Sequence, residues 1–322
     1  MKPSTILSLI VLLSVSVLCL SPFLGAATSS NPEIQQHILT QLRIPRVILA
    51  FLAGAGLALC GMVFQAMFHN PLATPFTLGV ASGASLGAAL YIYLGISISL
   101  LGIEGISFAA FLGALIAISI VYSISRLQRG FSPETLLLTG VAISFFFSSL
   151  ILFIQYLSNI NDSYQIMHWL MGSLTTIAYH DVLQLLPFVS ITAVVITLLS
   201  RELNLLTSGD DIALSRGVAV NTVRYILFFI TSLCVGAIVA ICGPIGFIGM
   251  MIPHISRLLI GSDHRYLIPA SLLLGGSFLI LCDTLARLII APAEIPVGVI
   301  TTLLGGPFFL WLLIKSKATM NK

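Results

Sequence analysis

Ten apolar segments run through this chain, near 4–26, 44–67, 75–95, 106–125, 134–159, 181–200, 222–244, 246–260, 267–290 and 296–314, each bounded by charges, Pro or Gly. A run of roughly 20 apolar residues makes a helix that crosses a bilayer. In hydrocarbon the backbone must satisfy its own polar groups, which leaves helices or closed barrels. Composition agrees: apolar residues make up 58% and charged residues 8% of the 322, against roughly 25% charged in soluble domains. No polar stretch is long enough to fold separately in water. The predicted fold class is therefore an all-α polytopic membrane protein, one domain over 1–322.

Charge fixes the number of crossings. The segment at 246–260 is short and carries Pro253, so its crossing needs an argument. If it crosses, and the amino terminus is inside, Lys2, Arg126, Arg129, Arg201, Arg216, Arg224, Arg257, Arg265, Lys315, Lys317 and Lys322 lie inside. Only Arg43, Arg46 and Arg287 then lie outside. If it does not cross, the fourteen basic residues divide seven and seven, and the usual excess of Lys and Arg on the cytoplasmic side disappears. Ten transmembrane helices with both termini cytoplasmic are predicted.

The first segment reads as an uncleaved helix, although Lys2, the apolar run and the small residues Gly25, Ala26 and Ala27 also fit a signal peptide. Cys19, Cys60, Cys234, Cys242 and Cys282 sit in apolar runs without CxxC spacing and read as small buried hydrophobes. Gly79, Gly83 and Gly87, and likewise Ala50, Gly54 and Ala58, recur every four residues, the pattern that lets membrane helices approach closely. No internal repeat of the inverted-carrier kind is evident. No basic stripe suggests nucleic acid.

Two power sources find little support in the chain. Ion-coupled carriers hold ionisable groups deep in their helices, yet the cores of 44–67, 75–95, 106–125, 135–159 and 296–314 hold none. The internal pair is Asp283 with Arg287, four residues apart and spaced to pair within one helix. A P-loop needs a Gly-rich turn and a Lys, but Lys2, Lys315, Lys317 and Lys322 are all terminal and no Gly-Lys dipeptide occurs. Energy must come from another subunit. The cytoplasmic loop Arg201 to Arg224 suits its reception: Asp210 and Asp211 can begin a short helix and Gly217 can end it.

The run RIPRVILAFLAGAGLALCGMVFQAMFHNPLATPFTLGVASGASLGAAL from Arg43 to Leu90 resembles the iron-siderophore, haem and vitamin B12 permeases of bacterial ABC importers, the FecCD/BtuC type. Further matches are LLLTGVA at 136–142, WLMGSL at 169–174, GPIGFIGMMIPHISRLLIGSDHR at 243–265, DTLAR at 283–287 and EIPVGVITTLLGGPFFLWLL at 294–313. The resemblance implies the type II ABC importer permease fold, with ten helices per subunit. It implies a dimer with a second copy or a close paralogue in the bacterial inner membrane. Two cytoplasmic ATPase subunits, which bind the ATP and Mg, and a periplasmic binding protein complete the assembly. This chain itself would be no enzyme and would hold no cofactor.

Site residues follow from the same resemblance. Arg43, Arg46 and Arg287 match outer arginines that receive carboxylates of the binding protein, and are expected to be exposed for charge-assisted pairing. The turn Phe68-His69-Asn70-Pro71-Leu72 matches the cytoplasmic gate, with Asn70 and Leu72 at the constriction; Ser132, Pro133 and Glu134 match the second closing turn but differ from the Thr-Ser of the vitamin B12 permease. Asp210, Asp211, Ala213, Arg216 and Gly217 match the loop that docks in the ATPase, with Ile212 and Asp211 departing from its usual Ala and Glu.

The pathway in this family is partly lined by the fifth helix, on which Ser144, Ser148, Gln155 and Asn159 fall within about 60° of one another at roughly 100° per residue. Such a stripe faces a water-filled path or a neighbouring helix. His69, His168 and His254 are scattered, and no metal site is predicted. The expected substrate is an iron chelate, a ferric siderophore first; haem, cobalamin and molybdate are alternatives. An ion-coupled secondary transporter would transport without nucleotide, and a passive channel would need no binding protein.

Overall fold

The computed structural model describes residues 3–25, 31–96, 98–100, 103–127, 133–174 and 178–320, and these are almost wholly helical. The helices are α1 (Pro3–Leu20), α2 (Pro32–His37), α3 (Ile44–Met67), α4 (Val80–Tyr93), α5 (Gly105–Leu127), α6 (Pro133–Leu157) and α7 (Ile160–Leu170). They continue with α8 (Tyr179–Leu198), α9 (Ser200–Leu206), α10 (Asp210–Ser215), α11 (Val220–Cys242), α12 (Ile248–Ile260), α13 (His264–Leu288) and α14 (Val297–Met320). A two-residue antiparallel pair, Ser99–Leu100 with Ile103–Glu104, lies between α4 and α5. Among the described residues seven spans are long and apolar enough to cross a membrane, and Val80–Tyr93, Ile248–Ile260 and Val297–Trp311 are shorter apolar helices. Each of the ten segments read from the sequence falls on one of these helices, seven of them long enough to cross and three shorter.

The small-residue stripes explain the centre of the bundle. Every residue from Ala53 to Phe68 is buried, so α3 is wrapped on all sides, chiefly by α13, α12, α8 and α11. A Cβ added at Gly54 would overlap the Gly275 carbonyl on α13, and one at Gly61 would overlap the Gly249 carbonyl on α12. On α4, Gly83 and Gly87 meet Gly113 and Ala109 of α5 in the same way. Lipid offers no hydrophobic drive between helices, so close backbone approach supplies the packing. Helix α1 joins through hydroxyls: Ser277 Oγ donates to Ser14 Oγ at 2.8 Å, and Ser21 Oγ lies 2.8 Å from Thr284 Oγ1. Cys60, Cys234, Cys242 and Cys282 are buried in the core, with Cys60 Sγ 3.5 Å from Thr231 O, whereas Cys19 on α1 is exposed, which corrects the burial expected of it.

Helix α12 is the short one because the chain before it is not helical. At roughly 1.5 Å per residue, 13 residues rise about 20 Å, and the irregular stretch 243–247 supplies more length. Such backbone is tolerated at membrane depth only when protein covers it. Here three sequence motifs cover one another. Gly172 and Gly243 both take positive φ, +69° and +68°; Ser173 N donates to Cys242 O at 2.9 Å and Gly298 N to Gly172 O at 3.2 Å. A side chain at Gly172 would strike the Pro244 carbonyl.

Candidate functional site

Three places gather the polar groups that an otherwise apolar bundle can use. The first is the outer end, where α3 begins and α13 stops. Arg46 lays its guanidinium along Asp283, with Nη2 donating to Oδ1 at 2.8 Å and Nε to Oδ1 at 3.0 Å. Its Nη1 reaches Glu294 Oε2 at 2.9 Å. Arg287 Nε lies 3.1 Å from Asp283 Oδ2, the i,i+4 pair that the spacing predicted, and its Nη1 donates to Leu24 O at 3.0 Å. Arg43 Nη1 donates to Pro22 O at 3.2 Å.

The exposure expected of these arginines is corrected by the fold. Arg43 is 7% and Arg287 6% exposed, and the Arg46 side chain 12%. Asp283, at 1% exposure, explains this: a buried carboxylate is costly unless cations close around it. Three arginines against Asp283 and Glu294 leave the cluster one positive charge to the good, and Glu294 at 35% side-chain exposure is its outermost member. Sequence reasoning missed Glu294 and the Arg46–Asp283 bond, because residues 237 apart leave no local signal.

The second place is the polar stripe on α6, which the structure splits. Ser148 and Gln155 line a groove of about 360 Å³ together with Ser82 and Ser85 of α4, Leu170 and Pro244. Ser144 instead donates to Gly140 O within its own helix, at 2.8 Å. Asn159 lies beyond the end of α6 and caps α7, accepting from Asp162 N at 2.8 Å. The sequence reading had no α7; the Asn159-x-x-Asp162 capping pattern carried its signal. Phe145, Phe146, Leu152, Phe153 and Tyr156 of α6 are also exposed, with Leu152 lining the groove itself.

The third place is the cytoplasmic end. Asp210 and Asp211 open α10, and Gly217 (φ +80°) closes it as the sequence predicted. Val218 N donates to Ala213 O and Gly217 N to Leu214 O, a Schellman closure. Ala213 is buried beneath α10, while Asp211, Arg216 and Gly217 are exposed. Arg224, 3% exposed, binds Asp210 with both terminal nitrogens, at 2.7 and 2.8 Å. Asp263 caps α13 through Arg265 N and accepts from Asn204 Nδ2 at 2.9 Å; these donors, Asn204 foremost, hold its carboxyl below the usual range.

Beside this loop lies the turn after α3. Asn70 Oδ1 accepts from Leu72 N at 2.9 Å and Asn70 O from Ala73 N at 3.0 Å, leaving Leu72 47% exposed at the tip. Pro133 begins α6 and Glu134 is exposed in its first turn. Ser132, the first residue of the second closing turn, lies outside the described residues. Among the described residues no group of three His, Cys, Asp or Glu could hold a metal.

A groove lined by hydroxyls and an amide, between two polar ends of a helical bundle, is the layout of a conduit. The family model described as the FecCD transport family matches residues 4–315. The chain belongs to the FecCD transport family. It is 40% identical over 291 residues to the hemin transport system permease HmuU of Yersinia pestis, spanning 90% of this chain and 86% of that relative. It is 42% identical over 286 residues to the cobalamin import system permease BtuC of Halobacterium salinarum, spanning 88% and 74%. A solved structure described as an inward-facing conformation of a metal-chelate type ABC transporter superposes with a TM-score of 0.88 at 34% identity, covering 97% of this chain and 99% of the other. This FecCD protein is thus the membrane-embedded permease of an ABC importer.

Proposed function

We propose that this permease, paired with a second copy or a close paralogue, moves an iron chelate from periplasm to cytoplasm, a ferric siderophore before haem, cobalamin or molybdate. The observation that carries the reading is the family match from residue 4 to residue 315. Ten crossings in the inner membrane, with both termini cytoplasmic, agree with eleven basic residues inside and three outside. The groove of Ser82, Ser85, Ser148 and Gln155 supports a chelate passed whole: neutral donors wet its rim without competing for the metal. A second copy across the groove would close it into a path.

In this reading the α9–α10 loop docks in the ATPase, through Asp210, Asp211, Ala213, Arg216 and Gly217. Asn70, Leu72, Pro133 and Glu134 belong to the cytoplasmic gate, where an exposed Leu72 can seal by excluding water. A periplasmic binding protein docks on the cationic cluster of Arg43, Arg46 and Arg287, whose one excess positive charge attracts a carboxylate. ATP and Mg are bound by the partner ATPase.

The test is reconstitution of the chain with its ATPase and binding protein in liposomes, with a panel of ferric siderophores, haem, cobalamin and molybdate inside the assay. Expected is uptake of one chelate class that needs ATP and the binding protein. Uptake that continues without nucleotide would establish an ion-coupled carrier instead, and flux without the binding protein a channel.

A further inference from the structure

His69 follows the cap residue of α3, at the position where helices commonly end in a left-handed residue, usually Gly or Asn. Phe68 closes α3, with Phe68 N donating to Phe64 O at 3.0 Å, and the next residue takes φ +48°. That left-handed conformation is uncommon for a residue with a side chain and persists only when its surroundings hold it. Its side chain is held as well. His69 Nε2 lies 2.7 Å from Leu206 O, the last carbonyl of α9. A carbonyl only accepts, so the ring carries its proton on Nε2.

The same carbonyl oxygen accepts from Gly209 N at 3.1 Å, and Gly209, at φ +115°, is the residue that turns the chain into α10. Leu206 O is therefore gripped from within the α9–α10 elbow and from the turn after α3. On its other side the elbow is fixed to the start of α13, where Asn204 Oδ1 accepts from His264 N at 3.0 Å. The turn is itself braced by Asn70. Between turn and elbow lies a cavity of about 380 Å³ lined by Gln65, His69, Asn70, Thr207, Arg257 and His264. Beside the Arg257–Gln65 bond on its wall, the His69 bond is the link among the described residues that joins turn to elbow.

We propose that His69 is the positioning residue that makes the gate turn move with the ATPase-docking elbow. This rests on the reading of α9–α10 and of Asn70 and Leu72 given above. A displacement of α9–α10 reaches residues 69–72 through the Leu206 carbonyl while Nε2 donates to it. Without that donor, the cavity lets the elbow shift and the turn stay behind.

The experiment compares the assembled complex of permease, ATPase and binding protein carrying His69→Ala or His69→Gln in liposomes. His69→Ala is expected to keep ATP hydrolysis while chelate taken up per ATP falls about fivefold, the weight of one ordinary hydrogen bond. His69→Gln keeps an N–H donor and is expected to recover most of the coupling. If His69→Ala does not assemble, His69→Phe fills the space without a donor and carries the same expectation. Spin labels at Leu72→Cys and Ser208→Cys, with exposed Cys19 changed to Ser, should keep one narrow distance through the ATP cycle and broaden with His69→Ala. Unchanged uptake per ATP in the donor-free variants, or equal failure of His69→Gln, overturns the proposal. Failure of the ABC reading looks different: the complex with His69 intact shows no ATP-dependent uptake.

Discussion

At the outer end, Asp283 is buried between Arg46 and Arg287, both of its partners are cations, and the closest contact is 2.8 Å. At the cytoplasmic end the order is reversed. There the buried group is the cation, Arg224, and its carboxylate partner Asp210 is 44% exposed; the other links are hydrogen bonds to neutral groups or to an exposed carboxylate, His69 to Leu206 O, His264 N to Asn204 and Asn204 to Asp263. The outer cluster ties the start of α3 to the end of α13, the two helices that share the longest interface of the bundle, and a network of buried charges has few alternative arrangements. The inner links hold two short helices by a few hydrogen bonds whose outer partners, Asp210 among them, are reached by water. The first arrangement suits a fixed rim, the second a part that is pushed.

The comparison breaks most readily at Asp283. Asp283→Asn strips the carboxylate from between two buried guanidinium groups and is expected to cost about 3–5 kcal/mol, seen as a large drop in the thermal unfolding midpoint of the purified protein. A midpoint within a degree or two of the parent would mean that the outer cluster is not the clasp it resembles. Asp210→Ala should cost less, about 1 kcal/mol, because its carboxylate is already half in water. Its larger effect should be on ATPase binding, measured by co-purification, since α10 loses its tie to α11. An equal loss of stability at both sites would erase the contrast between the ends.

Glu294→Gln should have the smallest effect on stability, within about 1 kcal/mol for a rim ion pair, and it sharpens the docking proposal. It frees Arg46 Nη1 for a carboxylate of the binding protein, so the expected result is tighter binding of that protein, read by titration against the wild type. Weaker binding would show that Glu294 is itself part of the docking surface. Reversing Arg46 to Glu is a poorer probe than the sequence suggests, because it sets a carboxylate against buried Asp283.

Local patterns were legible without coordinates. The Asp283–Arg287 pair follows from a spacing of four, the end of α10 from a glycine after a charged turn, and the close helix pairs from Gly and Ala every four residues. Asn159 was misplaced because helical phase was carried two residues past Leu157, where α6 ends; phase has no meaning across a helix break. Arg43, Arg46 and Arg287 were correctly grouped at one end, since charge asymmetry is a property of the chain, but their burial was not legible. Burial depends on what else arrives at the same point.

The chain alone therefore determined where the apolar segments lie and what family they make, because hydrophobic length and motif order are both written along the sequence. Only the tertiary structure decided that Asp283 binds Arg46, that Arg257 Nη2 meets Gln65 Oε1 at 2.6 Å, and that His69 takes hold of Leu206. Each joins residues more than a hundred positions apart. No rule of local spacing reaches that far: such contacts exist only once α3, buried along its whole length, has drawn its neighbours around it.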